Sequence, residues 1–599
     1  MYLLPQPREV TMTEGVFSIG LFSCIVLPQG FTPILRTAAD QLQQDARRFA
    51  GISLDILCGA SREGDITLET DGVLDPEAYR LEITPGGVCI RGGADVGVLH
   101  GVQTLRQMLR QAGGSLPCCT MEDAPCFPAR GFYHDVSRGR VPTLESLKKL
   151  ADIACLFKLN QLQLYVEHTY LFRNLSEVWR DVRPLTAQEI LDLDAYCAGR
   201  GIELVPSLSS FGHLFELLHT KTYCHLSEVE AALPSTMVNR MRHHTLDISQ
   251  PQAFELVTGM LDEFIPLFSS RKFNLCADET FDLGKGRGKK AMEAQGEKSY
   301  YIGFVRKLCG YLITRDRQPM FWGDIVAHFP EALQELPAGV ICLNWDYSPQ
   351  VTETVTKALA DAGAVQYVCP GVIGWNQWIN RLPDSYENIS RMADYGRKYG
   401  AIGLLNTDWG DYGHINDPSL SIPGLIYGAV MSWETESRPR AALNEAISRL
   451  WYLDPAGKVV DILSQTQNVT VYSWWQLVHY KEWIQGTLER ESPLTPVAPE
   501  ALDLAGAEIR RIREQLYLVL RQMDTSVRNR METWLIALMG IELCNEAGFR
   551  IASGEKDASL AGRMENWFRR YETLWRASSH ESELWRIRET ITWYADLLR

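Results

Sequence analysis

The sequence predicts an α/β protein built on a (β/α)8 TIM barrel, with a small α/β domain before the barrel and a helical region after it. Short apolar runs alternate with longer amphipathic segments through the middle of the chain, and beyond them the chain becomes helical. Strands that alternate with helices form a parallel sheet, and eight such units in about 300 residues indicate a closed barrel. We place the domains at residues 1–125, 126–438 and 439–599.

The domain before the barrel combines short strands with a helix. The segment "LEITPGGVCIRG" contains two alternating strands around Pro-Gly-Gly, which is typical of a β-hairpin. The segment "VGVLHGVQTLRQMLRQAG" follows it and has the spacing of a helix. We therefore predict a small mixed α/β domain here.

Eight apolar runs, most of which end in polar or aromatic residues, mark the predicted barrel strands. Helix-like segments such as "LESLKKLADIACLFK" separate them. The alternative is a doubly wound open sheet, which would require a glycine-rich phosphate loop after its first strand, and "DVSRGR" is not such a loop. The predicted strands are residues 131–138, 162–167, 202–208, 273–279, 319–325, 340–346, 365–371 and 402–411.

The region after about residue 440 is rich in tryptophan, as in "MENWFRRYETLWRASSHESELWRIRETITWYADLLR". Its apolar residues recur at intervals of three and four, which is the spacing of helices packed in a layer. Aromatic residues at this spacing are typical of a core. We therefore assign these helices a structural role.

Composition limits the classes of partner. The formal net charge is -15, from 59 basic and 74 acidic residues, which disfavours nucleic acid and anionic membranes. No apolar run approaches the ~18 residues of a membrane span, and "MYLLPQPREV" lacks the features of a secretory signal, so we expect a cytoplasmic protein. The 14 cysteines lack metal-binding spacing, and His243 and His244 lack further ligands. We expect no metal and no cofactor, and a homodimer is one option for the oligomeric state.

The active site of a (β/α)8 barrel lies at the C-terminal ends of its strands. Tryptophan rings pack on the C–H faces of sugars, while carboxylates and arginine bind their hydroxyls. No metal set, phosphate loop or Ser-His-Asp arrangement competes for the same rim, so a glycoside hydrolase is the leading class. The strand ends carry Asp135, Arg138, Glu167, His168, His213, Asp278, Glu279, Trp322, Asp324, Trp345, Asp346, Tyr347, Trp375, Asn376, Asp408, Trp409 and Asp411.

Asp278 and Glu279 are adjacent at the end of the fourth predicted strand. A retaining glycosidase usually places an acid/base and a nucleophile about 5 Å apart on opposite sides of the scissile bond. Adjacent acids approach from one side, which suits substrate-assisted hydrolysis, where the 2-acetamido oxygen of the sugar attacks the anomeric carbon. Glu279 would then protonate the leaving oxygen, and Asp278 would hold the acetamido N–H.

Three segments carry a resemblance to a known family: "YRLEITPGGVCIRGGADVGVLHGVQTLRQML", "APCFPARGFYHDVSRGRVPTLESLKKLADIACLFKLNQLQLY" and "TLDISQPQAFELVTGMLDEFIPLFSSRKFNLCADE". Together they resemble glycoside hydrolase family 20, the β-N-acetylhexosaminidases, over most of the chain. The resemblance implies a non-catalytic first domain. It also implies that Asp278 orients the acetamide and that Glu279 is the general acid/base.

The same resemblance implies roles for residues on other strands. Arg138, in "DVSR", corresponds to an arginine that binds the 3- and 4-hydroxyls of the terminal sugar, and His213, in "FGH", to a histidine near the catalytic Glu. Trp322 and Trp345 correspond to two tryptophans that wall the acetamido pocket in that family. In "TDWGD", Trp409 corresponds to a tryptophan that forms the floor of the sugar subsite, and Asp411 to a carboxylate that binds the 4- and 6-hydroxyls.

The sequence departs from the family pattern in three places. Cys276 and Ala277 replace two glycines before the acidic pair. "YVEHT" replaces "LTDD", so Glu167 or His168 must stand in for the aspartate that supports the active-site histidine. The segment "PGVIGWNQW" replaces a Tyr and an Asp that contact the acetamide carbonyl and a hydroxyl. The candidates to substitute there are Trp375, Asn376, Tyr347 and Tyr367.

From these residues and this resemblance we expect an exo-acting, retaining β-N-acetylhexosaminidase. Its substrate would be an oligosaccharide with a terminal β-linked GlcNAc or GalNAc. One alternative is a catalytically silent sugar-binding barrel, motivated by the altered residues after the second and seventh strands. Another is a glycosidase specialised for glycolipids or modified glycans, because barrel loops set the aglycone site.

Overall fold

The computed structural model describes residues 1–230, 233, 235–238, 240–488, 491–528 and 530–599. The first domain is a mixed sheet whose strands are β1 (Glu9–Ser18), β2 (Cys24–Leu27), β3 (Asp55–Cys58), β4 (Ile66–Thr70), β5 (Tyr79–Thr84), β6 (Gly87–Gly92) and β7 (Ser115–Asp123). Their order across the sheet is β1-β7-β5-β6-β4-β2-β3.

Two long helices, α1 (Pro33–Asp45) and α2 (Asp95–Ala112), pack with this sheet. The predicted hairpin is β5 and β6, which pair antiparallel with Thr84 opposite Gly87. A Cβ atom at Gly101 of α2 would lie 2.5 Å from the Ile90 side chain. The glycine therefore lets the helix approach the sheet closely.

The central part of the chain is a closed barrel of eight parallel strands in sequential order, which confirms the predicted fold class. A separate apolar cluster fills its interior, and it includes Tyr133, Tyr165 and Trp322. The strands are β8 (Ala129–Asp135), β9 (Gln161–Val166), β10 (Glu203–Leu208), β11 (Lys272–Asn274), β12 (Gln318–Trp322), β13 (Ile341–Trp345), β14 (Val365–Cys369) and β15 (Gly403–Asp408).

Helices connect successive strands around the outside of the barrel. Thr143 and Thr186 each accept a hydrogen bond from the backbone N–H three residues later, which satisfies a free donor at a helix start. The helices are α3 (Leu144–Leu156), α4 (Ser176–Trp179), α5 (Ala187–Ala198), α6 (Phe215–Leu218), α7 (Pro251–Phe264), α8 (Lys289–Gln295), α9 (Glu297–Ile313), α10 (Thr354–Asp361), α11 (Leu382–Lys398) and α12 (Ile422–Trp433).

The C-terminal region is helical and packs against the barrel. Its tryptophans are largely core residues, as predicted: Trp567 and Trp474 both contact Trp378 of the barrel, with ring centroids 5.0 Å and 5.7 Å apart. Within the described residues, no helix has the length and apolar character needed to cross a membrane. The helices are α13 (Arg440–Leu450), α14 (Val459–Ser464), α15 (Trp474–Ile484), α16 (Pro499–Leu520), α17 (Arg530–Ala552), α18 (Ala558–Ser578) and α19 (Leu584–Leu598).

Candidate active site

Strand β11 ends earlier than the sequence predicts, at Asn274 instead of near residue 279. Beyond it, Cys276, Ala277 and Glu279 have positive φ angles of 56°, 70° and 47°. Left-handed conformations cost non-glycine residues about 1–2 kcal/mol each, and such strain often lies at functional sites. The chain therefore turns sharply where a strand would have sent two adjacent carboxylates to opposite faces.

The surrounding backbone holds this turn in place. Tyr301 donates a hydrogen bond to the carbonyl of Ala277 at 2.9 Å. A Cβ atom at Gly212 would lie 2.2 Å from the carbonyl oxygen of Asp278, so only glycine fits at that position of "FGH". The Sγ atom of Cys276 points into the barrel core, 3.4 Å from Oγ of Ser207. The two residues that replace glycines thus keep a glycine-like backbone.

His213 brings the two acids together. Its Nε2 atom lies 3.3 Å from Oδ2 of Asp278 and 3.3 Å from Oε2 of Glu279. Burial lowers the pKa of His213, but the two carboxylates outweigh it and the net direction is upward. Nη2 of Arg138 lies 3.2 Å from Nδ1 of His213, and a guanidinium can only donate. The raised pKa favours the imidazolium, whose Nε2 faces the two carboxylates, while the charge of Arg138 beside Nδ1 opposes the shift.

The same three residues could in principle bind a metal ion. His213, Asp278 and Glu279 each offer a ligand atom within 4.8 Å of the others. A metal ion at Nε2 needs a deprotonated nitrogen, and Nδ1 faces the guanidinium of Arg138 instead of the acceptor that metal-binding histidines usually have. Because the pKa of His213 is raised, its surroundings favour a protonated ring over a metal ion.

Arg138 is buried and anchored by carboxylates on either side. Its Nε donates to Oε1 of Glu167 at 3.1 Å, and its Nη1 donates to Oδ1 of Asp411 at 3.2 Å. The guanidinium carbon lies 5.0 Å from the ring centre of Trp409 and 4.9 Å from that of Tyr165. Planar N–H groups fixed in this way can bind two neighbouring hydroxyls of one sugar.

Asp411 lies where the end of strand β15 meets Arg138. Burial raises the pKa of Asp411 to about 6, although Arg138 opposes the shift. Nδ2 of Asn376 donates to its other oxygen, Oδ2, at 3.2 Å. Both Asn376 and Asp411 have positive φ angles, 61° and 42°. Asn376 therefore orients Asp411, and the pair closes one side of the site.

Aromatic rings form the walls. Trp345 and Tyr347 are stacked with centroids 5.1 Å apart, and Trp375 packs edge-on against Tyr347 at 4.9 Å. Nε1 of Trp409 donates to Oη of Tyr347 at 2.7 Å. Trp322, expected in the wall, is fully buried in the barrel interior, with its ring 5.9 Å from that of Trp409. Large flat apolar faces beside a few fixed polar groups are typical of a pocket for a small polar ring.

Asp324 follows strand β12 and contacts the turn that carries the acidic pair. Its Oδ2 accepts the backbone N–H of Glu279 at 3.0 Å. Burial, then the charge of Asp278, raise the pKa of Asp324 to about 7. One of the buried carboxyl groups therefore keeps a proton near neutral pH, since two close carboxylates cannot easily both ionise.

Two expected roles differ in the structure. Glu167 contacts Arg138 and the hydroxyl of Tyr165 and does not support His213, whose Nδ1 faces Arg138. His168 makes its contact with Glu583 of the C-terminal region instead. In the resembled family an aspartate supports the active-site histidine. In this chain Arg138 faces Nδ1 of the histidine, and Glu167 in turn binds Arg138.

The four candidates for the acetamide carbonyl lie in different places. Trp375 and Tyr347 are in the aromatic wall, and Asn376 contacts Asp411. Tyr367 instead accepts a hydrogen bond from Gln161, the first residue of strand β9, at 3.4 Å. Tyr367 therefore lies at the opposite end of the barrel, and of these four candidates Tyr347 is the one that brings a hydroxyl into the aromatic wall.

Sequence reasoning missed two residues near the acids. Tyr165 lies inside strand β9, and its hydroxyl donates to Glu167 at 2.8 Å. His244, considered only as a metal ligand, stacks on His213 with centroids 4.8 Å apart and accepts its backbone N–H at 2.6 Å. Burial keeps the pKa of His244 well below its usual value, so it is a neutral acceptor. A buried strand residue and a loop histidine carry no local signal of such contacts.

Indole walls around acids at the mouth of a parallel barrel are the features of a glycoside hydrolase. The first 124 residues match the sequence model for "Glycosyl hydrolase family 20, domain 2", and residues 127–370 match that for "Glycosyl hydrolase family 20, catalytic domain". The two matches together cover more than half of the chain. The chain belongs to glycoside hydrolase family 20.

Similar proteins include β-hexosaminidases of several bacteria. The chain is 27% identical to one from Akkermansia muciniphila over 290 residues, which are 43% of this chain and 56% of that protein. It is 26% identical to one from Porphyromonas gingivalis over 306 residues, which are 46% of this chain and 38% of that protein. The matches thus span about half, or less, of these relatives.

Solved structures share the fold. A GH20 exo-β-N-acetylglucosaminidase from Vibrio harveyi, in complex with N-acetylglucosamine, superposes with a TM-score of 0.62 at 19% identity, covering 75% of this chain and 76% of that chain. A chitobiase from Flavobacterium johnsoniae gives a TM-score of 0.62 at 16% identity and covers 99% of both chains. The three-part architecture therefore recurs in full in that protein.

Proposed function

We propose that the protein is an exo-acting, retaining β-N-acetylhexosaminidase that releases terminal β-linked GlcNAc or GalNAc from oligosaccharides by substrate-assisted catalysis. The observation that carries this proposal is the position of His213 Nε2, 3.3 Å from both Asp278 and Glu279. The two acids lie on the same side of the site, so neither is placed as a nucleophile opposite the other. The sugar's own acetamide supplies the nucleophile.

The reaction has two steps. Glu279 donates a proton to the glycosidic oxygen while the acetamide oxygen attacks the anomeric carbon, so the bond to the leaving group breaks as a cyclic oxazolinium forms. Asp278 accepts the acetamido N–H and stabilises the developing positive charge. Water then opens the ring, with Glu279 as the base, and two inversions at the anomeric carbon give net retention.

In this proposal the surrounding side chains bind the rest of the sugar. Trp409 offers its face to the ring, and Arg138 and Asp411 bind the hydroxyls at its non-reducing end. Because Arg138 and Asn376 hold Asp411 in place, its carboxylate can bind a terminal hydroxyl of the sugar, which supports exo action. Tyr347 Oη accepts from Trp409, and its O–H is the donor proposed for the acetamide oxygen.

Kinetics on aryl β-glycosides test the proposal. General acid catalysis contributes about 10²- to 10⁴-fold, so Glu279→Gln should lose that much activity on an aryl β-GlcNAc. The loss should shrink with a strongly acidic phenol, which needs little protonation as it leaves. Glu387→Gln, on the exposed side of α11, is the matched control. Full activity of Glu279→Gln on both substrates would reject the assignment.

A matched aryl β-glucoside tests the source of the nucleophile. Without an acetamide it should be hardly cleaved, whereas efficient turnover would point to a protein nucleophile. GlcNAc binding without turnover of any aryl glycoside would favour a silent sugar-binding barrel.

We also propose a cytoplasmic location, because the cysteines are all free thiols in the structure.

A further inference from the structure

The loop that carries Arg138 is held by the C-terminal helices. The backbone N–H of Glu583 donates to the carbonyl of Gly139 at 3.1 Å, and that of His580 donates to Val141 at 2.9 Å. Next to them, the buried Arg140 lies 4.0 Å above the ring centre of Trp575. The residues that follow strand β8 are therefore packed against α18 and the start of α19.

Glu583 makes the polar contacts at this junction. Its side chain is 2% exposed, and its Oε1 lies 3.1 Å from Nε2 of His168. Its Oε2 is paired with Nη2 of Arg240 and lies 3.2 Å from Nε of Arg586. A buried carboxylate that binds two arginines and a histidine fixes the loops from which those residues come.

Two of these contacts lead to Arg138. His168 follows Glu167, whose Oε2 lies 3.7 Å from Nδ1 of His168 and whose Oε1 accepts from Arg138. Burial alone would raise the pKa of Glu167, but His168 and Arg138 hold it well below its usual range. On the other side, Nη1 of Arg240 donates to the carbonyl of Ser137, the residue before Arg138, at 3.2 Å.

We propose that Glu583 is a positioning residue of the active site, through which the C-terminal helical region sets the position of Arg138 toward the sugar hydroxyls. This inference rests on the proposed function of Arg138. It assigns the C-terminal helices a role beyond packing. The carboxylate reaches Arg138 by two routes, through His168 and Glu167 and through Arg240 and Ser137.

Replacement of Glu583 separates positioning from folding. Glu583→Gln keeps an acceptor for His168 but removes the charge that pairs with Arg240. We expect it to raise KM for an aryl β-GlcNAc about 10-fold and to change kcat less than about 3-fold, because hydroxyl contacts act in both ground and transition states. Glu583→Ala removes both contacts and should raise KM further.

Glu581→Gln is the matched control. Glu581 is two residues away, is 58% exposed, and pairs with Arg576 on the surface. The Glu581→Gln variant should leave KM and kcat unchanged. All assays are run well below the midpoint of thermal unfolding, which is measured for each variant. Unchanged KM in both Glu583 variants, with or without a lower midpoint, would mean that the carboxylate is only structural and would overturn the inference.

A double-mutant cycle with Arg138→Ala adds a stricter test. If Glu583 acts through Arg138, Glu583→Gln should have little further effect on KM in the Arg138→Ala background. Independent, multiplicative effects would overturn the inference. Binding of a GlcNAc-derived thiazoline, measured by calorimetry, gives the same comparison without turnover. A wild-type protein that binds the thiazoline but does not hydrolyse would reject the proposed function and still test Glu583.

Discussion

The two ends of the barrel bury charge in opposite ways. At the N-terminal end, where the strands begin, Nζ of Lys158 lies 3.0 Å from Oδ2 of Asp123 and 2.9 Å from Oη of Tyr79, and neither charged side chain is exposed to solvent. Nearby, the buried Arg130 is paired with Glu77 of the first domain. Each charge at this junction faces an opposite one.

At the C-terminal end, carboxyl groups lie close to one another and share only Arg138 and His213 as cations among the site residues described above. Burial and neighbouring acids raise the pKa of Asp324 to about 7 and that of Asp411 to about 6. Within the described part of the chain, Oδ1 of Asp278 and Oδ1 of Asp324 are buried and accept no hydrogen bond. Groups of one sign gathered in a poorly solvated pocket destabilise the folded protein, and they are the groups that a substrate would satisfy.

The comparison assigns stability to one end of the barrel and chemistry to the other. Paired charges at the base hold the first domain to the barrel, while the acids at the mouth outnumber Arg138 and His213 and repel one another. In the proposed function this unfavourable energy serves binding and proton transfer. Replacing a charge should therefore have opposite consequences at the two ends.

Lys158→Met should have the largest effect, and on stability alone. It leaves Asp123 buried without its cation, and breaking such a pair typically costs about 3–5 kcal/mol of the free energy of unfolding. Lys357→Met, which removes an exposed lysine paired within α10, should change it by less than about 0.5 kcal/mol. Chemical unfolding measures both. Normal stability of Lys158→Met would show that the paired charges at the N-terminal end of the barrel do not stabilise the fold.

Asp278→Asn should act in the opposite way. Activity on an aryl β-GlcNAc should fall about 10²- to 10³-fold, because the amide neither balances the charge of the intermediate nor simply accepts the acetamido N–H. The free energy of unfolding should change much less than in Lys158→Met, because the charge lost beside His213 is offset by relief of the repulsion on Asp324. A strongly destabilised variant would mean that Asp278 supports the fold as Lys158 does.

Asp324→Asn should change how stability depends on pH. Because the pKa of Asp324 is raised in the folded state, the folded protein holds more protons than the unfolded one between about pH 4 and pH 7. Stability contributed by this group therefore falls as pH rises through that window, by at most ~1.4 kcal/mol per pH unit.

The Asn variant should show a flatter profile when unfolding is measured from pH 4.5 to 7.5. Asp411, with its own pKa raised to about 6, contributes the same sign, so the slope should decrease without vanishing. A slope equal to that of the wild type would show that Asp324 carries no extra proton in the folded protein.

The sequence was sufficient for the barrel and for the main polar groups of its mouth. The strands are short, mostly apolar runs that alternate with helical segments, and parallel strands place their C-terminal ends together, so Arg138, His213 and the acidic pair could be assigned to one rim. The early end of strand β11 could not be predicted. Cys276 and Ala277 rarely adopt positive φ, and contacts from distant segments impose that conformation.

The contacts of individual site residues could not be predicted from the sequence either. Nothing local indicates that Nδ1 of His213 faces Arg138, or that Glu167 contacts Arg138 instead of the histidine. Glu583 lies 415 residues beyond His168, and no spacing rule connects them. Side-chain pairing between distant segments depends on packing that only the folded chain defines.

Tyr347→Phe should have the smallest effect and tests how far the aromatic wall takes part in chemistry. It removes one hydroxyl, which accepts from Trp409 and in the proposed function donates to the acetamide oxygen. We expect kcat/KM on an aryl β-GlcNAc to fall about 10-fold, the scale of one or two hydrogen bonds. Tyr367→Phe is the matched control, because its hydroxyl lies beside Gln161 at the other end of the barrel. Equal losses in both variants would mean that Tyr347 acts through packing, and the catalytic role at the mouth would then rest on the acids and Arg138.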